Sequence, residues 1–211
     1  MPIEEQGSFV ELNRRFRKLK QKAKAEEAAV ESYTGCFFWQ MDSLSWDDLL
    51  KEYRAVVLGE PGSGKSWEMR ERARLLNSQG ASAFFVRLDQ LVERELPKLF
   101  DTDEQSRFTR WKQSQSVACF FLDSVDEAKF RKVSDFHATL NRFRNELGSD
   151  LLLRTKIFLS SRISEWKPFT DGFEFQRLFP VPPVEKRTGE GQSKEIENSK
   201  PEFLVVQLAG C

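Results

Sequence analysis

The sequence has few of the features that mark membrane, secreted or metal-cluster proteins. No apolar run in its 211 residues is long enough to cross a bilayer, and no signal-peptide core stands at its start. Its three cysteines, Cys36, Cys119 and Cys211, lack metal-ligand spacing, and it has one histidine. Lys plus Arg equal Asp plus Glu at 33 each, so no global charge favours nucleic acid or an anionic membrane. We therefore expect a cytoplasmic protein with neither membrane nor nucleic-acid partners.

The N-terminal part of the chain differs in character from the rest. Apolar residues recur at three- and four-residue steps across 9–23, in a stretch otherwise rich in charge. This spacing predicts an N-terminal amphipathic helix, and the basic cluster at 14–24 is better explained as its solvated face than as a nucleic-acid contact. We accordingly divide the chain into an N-terminal helical segment, 1–45, and a core, 46–211.

The core alternates between strand-like and helix-like segments. Five segments are apolar on successive residues, as expected for strands buried on both faces of a parallel sheet: 55–59, 83–88, 117–123, 156–161 and 203–208. The clearest helical periodicity between them is at 130–147, which includes His137, interpreted as a structural residue. The polar stretch 182–201 predicts a solvated loop. The alternation predicts an α/β fold in which helices sandwich a five-stranded parallel sheet.

The segment GEPGSGKS, directly after the first predicted strand, has the spacing Gly-x-x-x-x-Gly-Lys-Ser of a phosphate loop. Its glycines let backbone N–H groups curl around phosphate oxygens, and the following helix directs its positive dipole end at the same anion. Lys65 is predicted to contact the β- and γ-phosphates, and the Ser66 hydroxyl to ligate Mg²⁺. The predicted phosphate-binding residues are Gly59, Glu60, Pro61, Gly62, Ser63, Gly64, Lys65 and Ser66.

A second segment, VACFFLDSVDEA, is expected to complete the site. Its strand would deliver Asp123 to the carboxyl edge of the sheet, where ligands gather in parallel α/β proteins. We expect Asp123 to hold the hydrated Mg²⁺ together with Ser66, and Asp126 or Glu127 to polarise an attacking water. The alternative is an acidic turn that only caps the strand.

Together, GEPGSGKS and FFLDSVDEA resemble the NACHT group of STAND NTPases, which are AAA-like phosphate-loop ATPases of signal transduction. That group has a small residue after the Mg²⁺-binding acid, here Ser124, and two acids shortly after it. It also has a later strand that ends in an arginine sensing the γ-phosphate, and KIFLSSRISEW matches this with Arg162. The resemblance implies the strand order 5-1-4-3-2, ATP and Mg²⁺ as ligands, and Arg162 as a catalytic residue. Trp67 departs from the family, which usually has a small residue or threonine after Ser66.

The function implied by the resemblance is an ATP-binding, weakly hydrolysing switch in signalling or defence, formally a Mg²⁺-dependent ATPase. Its expected partners are ATP or ADP, and either further copies of itself or a signalling domain in a fuller form. The family's helical lid and winged-helix segment are not recognised before Cys211, so we expect a truncated core with little turnover. The alternatives are an AAA-class motor or nucleic-acid-processing ATPase, and a non-hydrolysing nucleotide-binding scaffold.

Overall fold

The computed structural model describes residues 14–19, 43–124, 133–182 and 203–208. The strands are β1 (Phe16–Lys18), β2 (Ser43–Leu44), β3 (Arg54–Leu58), β4 (Ser82–Arg87), β5 (Ala118–Asp123), β6 (Thr155–Ser161) and β7 (Leu204–Leu208). The α-helices are α1 (Trp46–Leu49), α2 (Lys65–Ser78), α3 (Leu88–Leu91), α4 (Thr102–Gln113), α5 (Val133–Leu147), α6 (Ser149–Leu153) and α7 (Phe173–Leu178). A 3₁₀ turn at Leu96–Leu99 and a π-helical turn at Pro168–Gly172 complete the described elements.

The five strands predicted from apolar runs are confirmed, each within one residue of its expected bounds at either end. They are β3 to β7, and they run parallel as neighbours in the order β7-β3-β6-β5-β4. Consecutive residues are buried because a hydrophobic cluster lies on each face of the sheet. On β3, Val56 and Leu58 belong to one cluster, while Ala55 and Val57 belong to the other.

The prediction of a five-stranded sheet is wrong in strand count, and the predicted order 5-1-4-3-2 holds only among β3 to β7, not across the whole sheet. The sheet has seven strands, in the order β2-β1-β7-β3-β6-β5-β4. Two short strands extend it at the β7 side, where Phe16 lies opposite Leu208 on one flank and Leu44 on the other, both pairings antiparallel. This ribbon satisfies backbone groups of β7 that would otherwise form an open edge.

The predicted amphipathic helix over 9–23 is wrong at the residues described there, because 14–19 are extended and include β1. Phe16 is buried, and its ring meets that of Trp46 edge-on with centroids 4.9 Å apart. Backbone pairing with β7 outweighs the local helical periodicity, since propensity is weak beside tertiary contacts. The remainder of 9–23 lies outside the described residues. The division at 45/46 stays a prediction, although β1 and β2 both come from the first segment and join the sheet of the second.

The helices agree with the sequence where the periodicity is long. The helix expected after the loop is confirmed as α2, and the helix predicted at 130–147 is confirmed over 133–147 as α5, its first three residues lying outside the described ranges. The short helices α6 and α7 and the polar helix α4 were not predicted. His137 on α5 lies with its Nε2 2.8 Å from Oδ1 of the buried Asp171, which joins α5 to the π-helical turn. The loop predicted at 182–201 lies, apart from Pro182, outside the described residues. Within the described ranges, no helix has both the length and the apolar character that crossing a bilayer would require.

A buried arginine, Arg54 on β3, holds the amino end of the sheet together. Its side chain is 1% exposed, and burial lowers its pKa to about 10. The guanidinium donates hydrogen bonds to backbone carbonyls of five residues from three parts of the chain: Tyr53, Leu152, Thr155, Phe179 and Pro180. Arg54 thus joins the amino ends of β3 and β6 to the segment that follows α7.

Candidate functional site

The loop that follows β3 forms a tight cradle at the carboxyl edge of the sheet. Gly62 and Gly64 have φ angles of 74° and 86°, a region in which other residues are strained. Because α2 begins at Lys65, directly after Gly64, the N–H groups of its first turn, which have no partner within the helix, lie at the loop. At Gly59, a Cβ atom would come 3.0 Å from Ser63 Oγ and 3.2 Å from Lys65 Cδ. The backbone angles therefore favour glycine at 62 and 64, and a side chain at 59 would have to displace Ser63 or Lys65.

Lys65 lies across the loop rather than in open solvent. Its Nζ donates to the carbonyl oxygens of Gly59, at 2.7 Å, and Glu60, at 2.8 Å, and to Ser63 Oγ, at 3.2 Å. The N–H of Gly59 donates to the carbonyl of Ser161 at the end of β6, at 3.2 Å. A positive charge is thus held inside the cradle, and the cradle is tied to the neighbouring strand.

Asp123, the last residue of β5, lies beside this loop. Its Oδ1 accepts hydrogen bonds from Ser66 Oγ, at 3.3 Å, and from Ser160 Oγ on β6, at 2.7 Å. Asp123 is 3% exposed. Burial raises the pKa of its carboxyl, and the two hydrogen bonds and the nearby charges of Arg87 and Lys65 offset that effect only in part. A buried carboxylate with incomplete compensation is an electrostatically favourable neighbour for a cation.

The residue after Asp123 fixes where the carboxylate lies. The Ser124 N–H donates to Ser160 Oγ at 3.2 Å, and the Ser124 hydroxyl donates to the Ser160 carbonyl. These contacts bind the carboxyl ends of β5 and β6 together, and Ser124 is buried between them. The part played by Ser160 was missed by sequence reasoning. Its only signal is a pair of serines that ends an otherwise apolar strand.

The three predicted catalytic residues have different outcomes. Arg162 directly follows β6 and is adjacent to Ser161, whose carbonyl accepts the N–H of Gly59, so its backbone lies at the same edge as the loop. Asp126 and Glu127 lie outside the described residues. The catalytic roles of all three residues stay predictions.

A contact between the N-terminal ribbon and the start of α2 was also missed. Arg14 Nε lies 3.5 Å from Glu68 Oε1, and the Trp46 indole N–H donates to Glu68 Oε2 at 3.1 Å. Arg14 Nη2 lies 3.4 Å from the place where a Cβ on Gly64 would be. No local pattern links positions 14 and 68, so only the fold brings this cation to the loop.

The combined chemistry suits a phosphate anion that carries a divalent metal. The α2 N-terminus and Lys65 supply positive charge. Ser66 and Asp123 supply two oxygen atoms that lie 3.3 Å apart, and oxygen is the ligand atom that Mg²⁺ prefers. In the described parts of the chain, no group of three or more His, Cys, Asp or Glu could hold a metal by itself. A metal here would therefore complete its coordination with phosphate oxygens and water, as Mg²⁺ commonly does.

Comparison of the sequence with protein-family models and with curated proteins gives no match. Among solved structures, the chain is similar to AMPPCP-bound DnaA from Aquifex aeolicus, with a TM-score of 0.37, 18% identity and coverage of 63% of this chain and 39% of that one. It is also similar to the Aeropyrum pernix Orc1 protein in complex with DNA, with a TM-score of 0.37, 14% identity and coverage of 81% and 50%. The chain thus spans half or less of the length of either protein, and likeness at this level says nothing about function. The strand, glycine loop and helix from β3 to α2, set in a mostly parallel seven-stranded sheet, make a P-loop NTPase-like α/β fold.

Proposed function

We propose that the chain binds Mg·ATP at the loop 59–66 and acts as a nucleotide-dependent switch of the NACHT/STAND type. One observation carries the proposal: Lys65, Ser66 and Asp123, contributed by two separate elements, converge at the carboxyl edge of the sheet. The Ser66 and Asp123 oxygens are 3.3 Å apart, and the Lys65 ammonium is held within the adjoining loop. Few ligands other than a metal-bound phosphate would use a lysine ammonium, a helix N-terminus and two oxygen ligands for a metal in one place.

Each group then has a binding role that follows from its position. The loop and first-turn N–H groups donate to phosphate oxygens, and the Lys65 ammonium exchanges the carbonyls of Gly59 and Glu60 for phosphate oxygens. Ser66 and Asp123 would hold Mg²⁺, which neutralises phosphate charge when it is bound. The positive charge of Mg²⁺ would compensate the buried Asp123 carboxylate, which the protein's own groups do not fully balance, and this adds to the affinity for Mg·ATP.

The switch is proposed to depend on the γ-phosphate, which is the only group that distinguishes ATP from ADP. Arg162 follows β6, the strand whose Ser160 holds Asp123 and whose Ser161 holds the loop. A contact from Arg162 to the γ-phosphate would therefore bias the strand that positions both halves of the site. Slow hydrolysis aided by Asp126 or Glu127 would reset the switch.

Isothermal titration of ATP, ADP and GTP, with and without Mg²⁺, tests the binding proposal. Wild type should bind ATP more tightly with Mg²⁺ than without it. Lys65→Ala should lose about 30-fold or more in ATP affinity, since truncating one partner of a desolvated charge pair costs about 2–5 kcal/mol. Lys98→Ala is the matched control, because Lys98 is exposed and pairs with exposed Glu95. Equal ATP affinity in Lys65→Ala and wild type would refute the assignment.

The rate of turnover separates the switch from an AAA-class motor. A switch retains its nucleotide, so steady hydrolysis should stay well below about 1 per second, the low end of active kinase rates. Turnover at or above that rate, especially with stimulation by single- or double-stranded DNA or RNA, would support the motor instead. Binding without any hydrolysis would support a nucleotide-binding scaffold.

A further inference from the structure

One large aromatic side chain beside the loop is left in solvent. Trp67, the third residue of α2, is 54% exposed. The other tryptophans of the described ranges, Trp46, Trp111 and Trp166, are 4%, 1% and 7% exposed. Tryptophan carries a large apolar surface, so a half-exposed indole at a candidate ligand site offers contact area to a ligand.

Helix geometry places Trp67 on the face of α2 that adjoins the last glycine of the loop. Side chains on an α-helix lean towards its N-terminus, so each residue covers the surface of the preceding turn. Gly64, Trp67 and Glu68 stand at i, i+3 and i+4 and are neighbours on one face. Arg14, which pairs with Glu68, lies beside the same glycine. An aromatic side chain and a guanidinium are thus both placed next to the last glycine of the loop.

The order of the predicted ligand contacts along the chain also favours this position. The lysine of a phosphate loop reaches the β- and γ-phosphates, and the hydroxyl residue after it meets the metal. Lys65 and Ser66 take these places, and the loop N–H groups take the α- and β-phosphates. Trp67, next to Gly64 on the helix, has no such role and is available to the nucleoside that follows the α-phosphate. A purine is a flat aromatic ring that stacks on an indole without needing a particular hydrogen-bond pattern.

We propose that Trp67 is the base-stacking platform of the nucleotide site, which makes the site select a purine nucleotide over a bare phosphate chain. This inference rests on the proposed nucleotide binding at 59–66. Stacking on a π face is tolerant of the base, so adenine and guanine both gain from it, and the smaller pyrimidines gain less.

The test compares ATP with inorganic tripolyphosphate, which offers a similar phosphate chain and no base. Both are titrated calorimetrically, with Mg²⁺, into wild type, Trp67→Ala, Trp67→Phe and Arg74→Ala. Trp67→Ala should weaken ATP binding about 5- to 150-fold, the range of aromatic–base stacking, and should leave tripolyphosphate affinity within about twofold. Trp67→Phe should keep most of the ATP affinity. Arg74→Ala should change neither, because Arg74 is exposed two turns further along the same helix and pairs with Glu71.

A second measurement does not depend on the alanine variant being well folded. ATP should quench tryptophan emission in wild type, and Trp67→Phe should lose that quenching while it still binds ATP by calorimetry. Equal losses of ATP and tripolyphosphate affinity in Trp67→Ala, or unchanged quenching in Trp67→Phe, would overturn the platform. In that case, continued loss of both ligands in Lys65→Ala would still support the nucleotide site. Absence of ATP and tripolyphosphate binding in wild type would overturn both proposals together.

Discussion

Replacing Asp123 by asparagine should stabilise the protein without ligand and reduce its response to Mg²⁺, two effects of opposite sign from one substitution. Asparagine has nearly the shape of aspartate and keeps an acceptor oxygen for the hydroxyls of Ser66 and Ser160, which lie 3.3 and 2.7 Å away. The substitution therefore removes the charge and little else. If the carboxylate only caps the strand end, Asp123→Asn should instead lower the stability without ligand and leave the response to Mg²⁺ unchanged.

The magnitude follows from the burial of the carboxylate. Losing the charge weakens two hydrogen bonds by about 1 kcal/mol each, because bonds to an ion are stronger than neutral ones. Against this, a buried ion costs several kcal/mol of lost hydration. The raised pKa of Asp123 shows that the cost of burial exceeds the compensation. We expect a net gain of about 2 kcal/mol in the free energy of unfolding, or roughly 4–8 °C in Tm for a chain of this size.

The dependence on pH has a definite sign. A raised folded-state pKa means that the folded protein holds the Asp123 proton more readily than the unfolded chain does. The resulting stabilisation is full below the unfolded pKa, about 3.9, and is lost as pH rises through the folded value. Asparagine has no such loss. The advantage of Asp123→Asn over wild type should therefore grow with pH through that window and stay constant above it.

Urea unfolding in EDTA between pH 4 and pH 8 measures the first effect, and thermal melts with ATP and increasing Mg²⁺ measure the second. The Mg²⁺-dependent rise in Tm should be present in wild type and largely absent in Asp123→Asn. Glu52→Gln, at an exposed acid between α1 and β3, is the control and should change neither. The reasoning is refuted if Asp123→Asn lowers the free energy of unfolding by more than about 1 kcal/mol in EDTA, or responds to Mg²⁺ as wild type does.

Two further predictions concern charges that hold the fold around the site. Arg54→Met leaves five backbone carbonyls without their hydrogen-bond donor. We expect it to lower the free energy of unfolding, measured with urea, by about 4 kcal/mol. A loss under about 1 kcal/mol would mean that the cost of dehydrating the guanidinium cancels the gain from its hydrogen bonds. Arg14→Ala should cost about 2 kcal/mol because it leaves the buried Glu68 carboxylate less compensated. Adding Glu68→Gln should recover at least half of that loss, whereas additive losses in the double variant would contradict a direct pairing.

The strands of the core were predictable because their signal is local. A strand buried on both faces must be apolar at successive positions, and this holds for β3 whatever lies beside it. The loop was predictable for a similar reason, since its glycines are needed for backbone angles that are set within a few residues. Position 16 shows the limit of such reasoning. It fits a helical stripe by spacing, yet Phe16 belongs to a strand because β7 offers it a row of backbone partners.

The candidate site was predictable as a set of residue types but only partly as an arrangement. Lys65 and Ser66 are adjacent in the chain, so they lie close together whatever tertiary structure the chain adopts. That Asp123 would lie near them followed only from the rule that parallel strands present their carboxyl ends at one edge. The hydrogen bond from Ser160 and the approach of Arg14 follow no such rule, because they depend on which strands become neighbours.

The amino-acid sequence by itself determined the α/β class, the tight glycine loop and the identity of the charged groups, because burial pattern and backbone freedom act over a few residues. Only the tertiary structure decided that an N-terminal ribbon completes the sheet, that Ser160 holds the Asp123 carboxylate, and that Arg14 reaches the loop. Those contacts join segments far apart in the chain. Their energies arise from edge pairing and from shared burial of charge, which exist only once the strands are side by side.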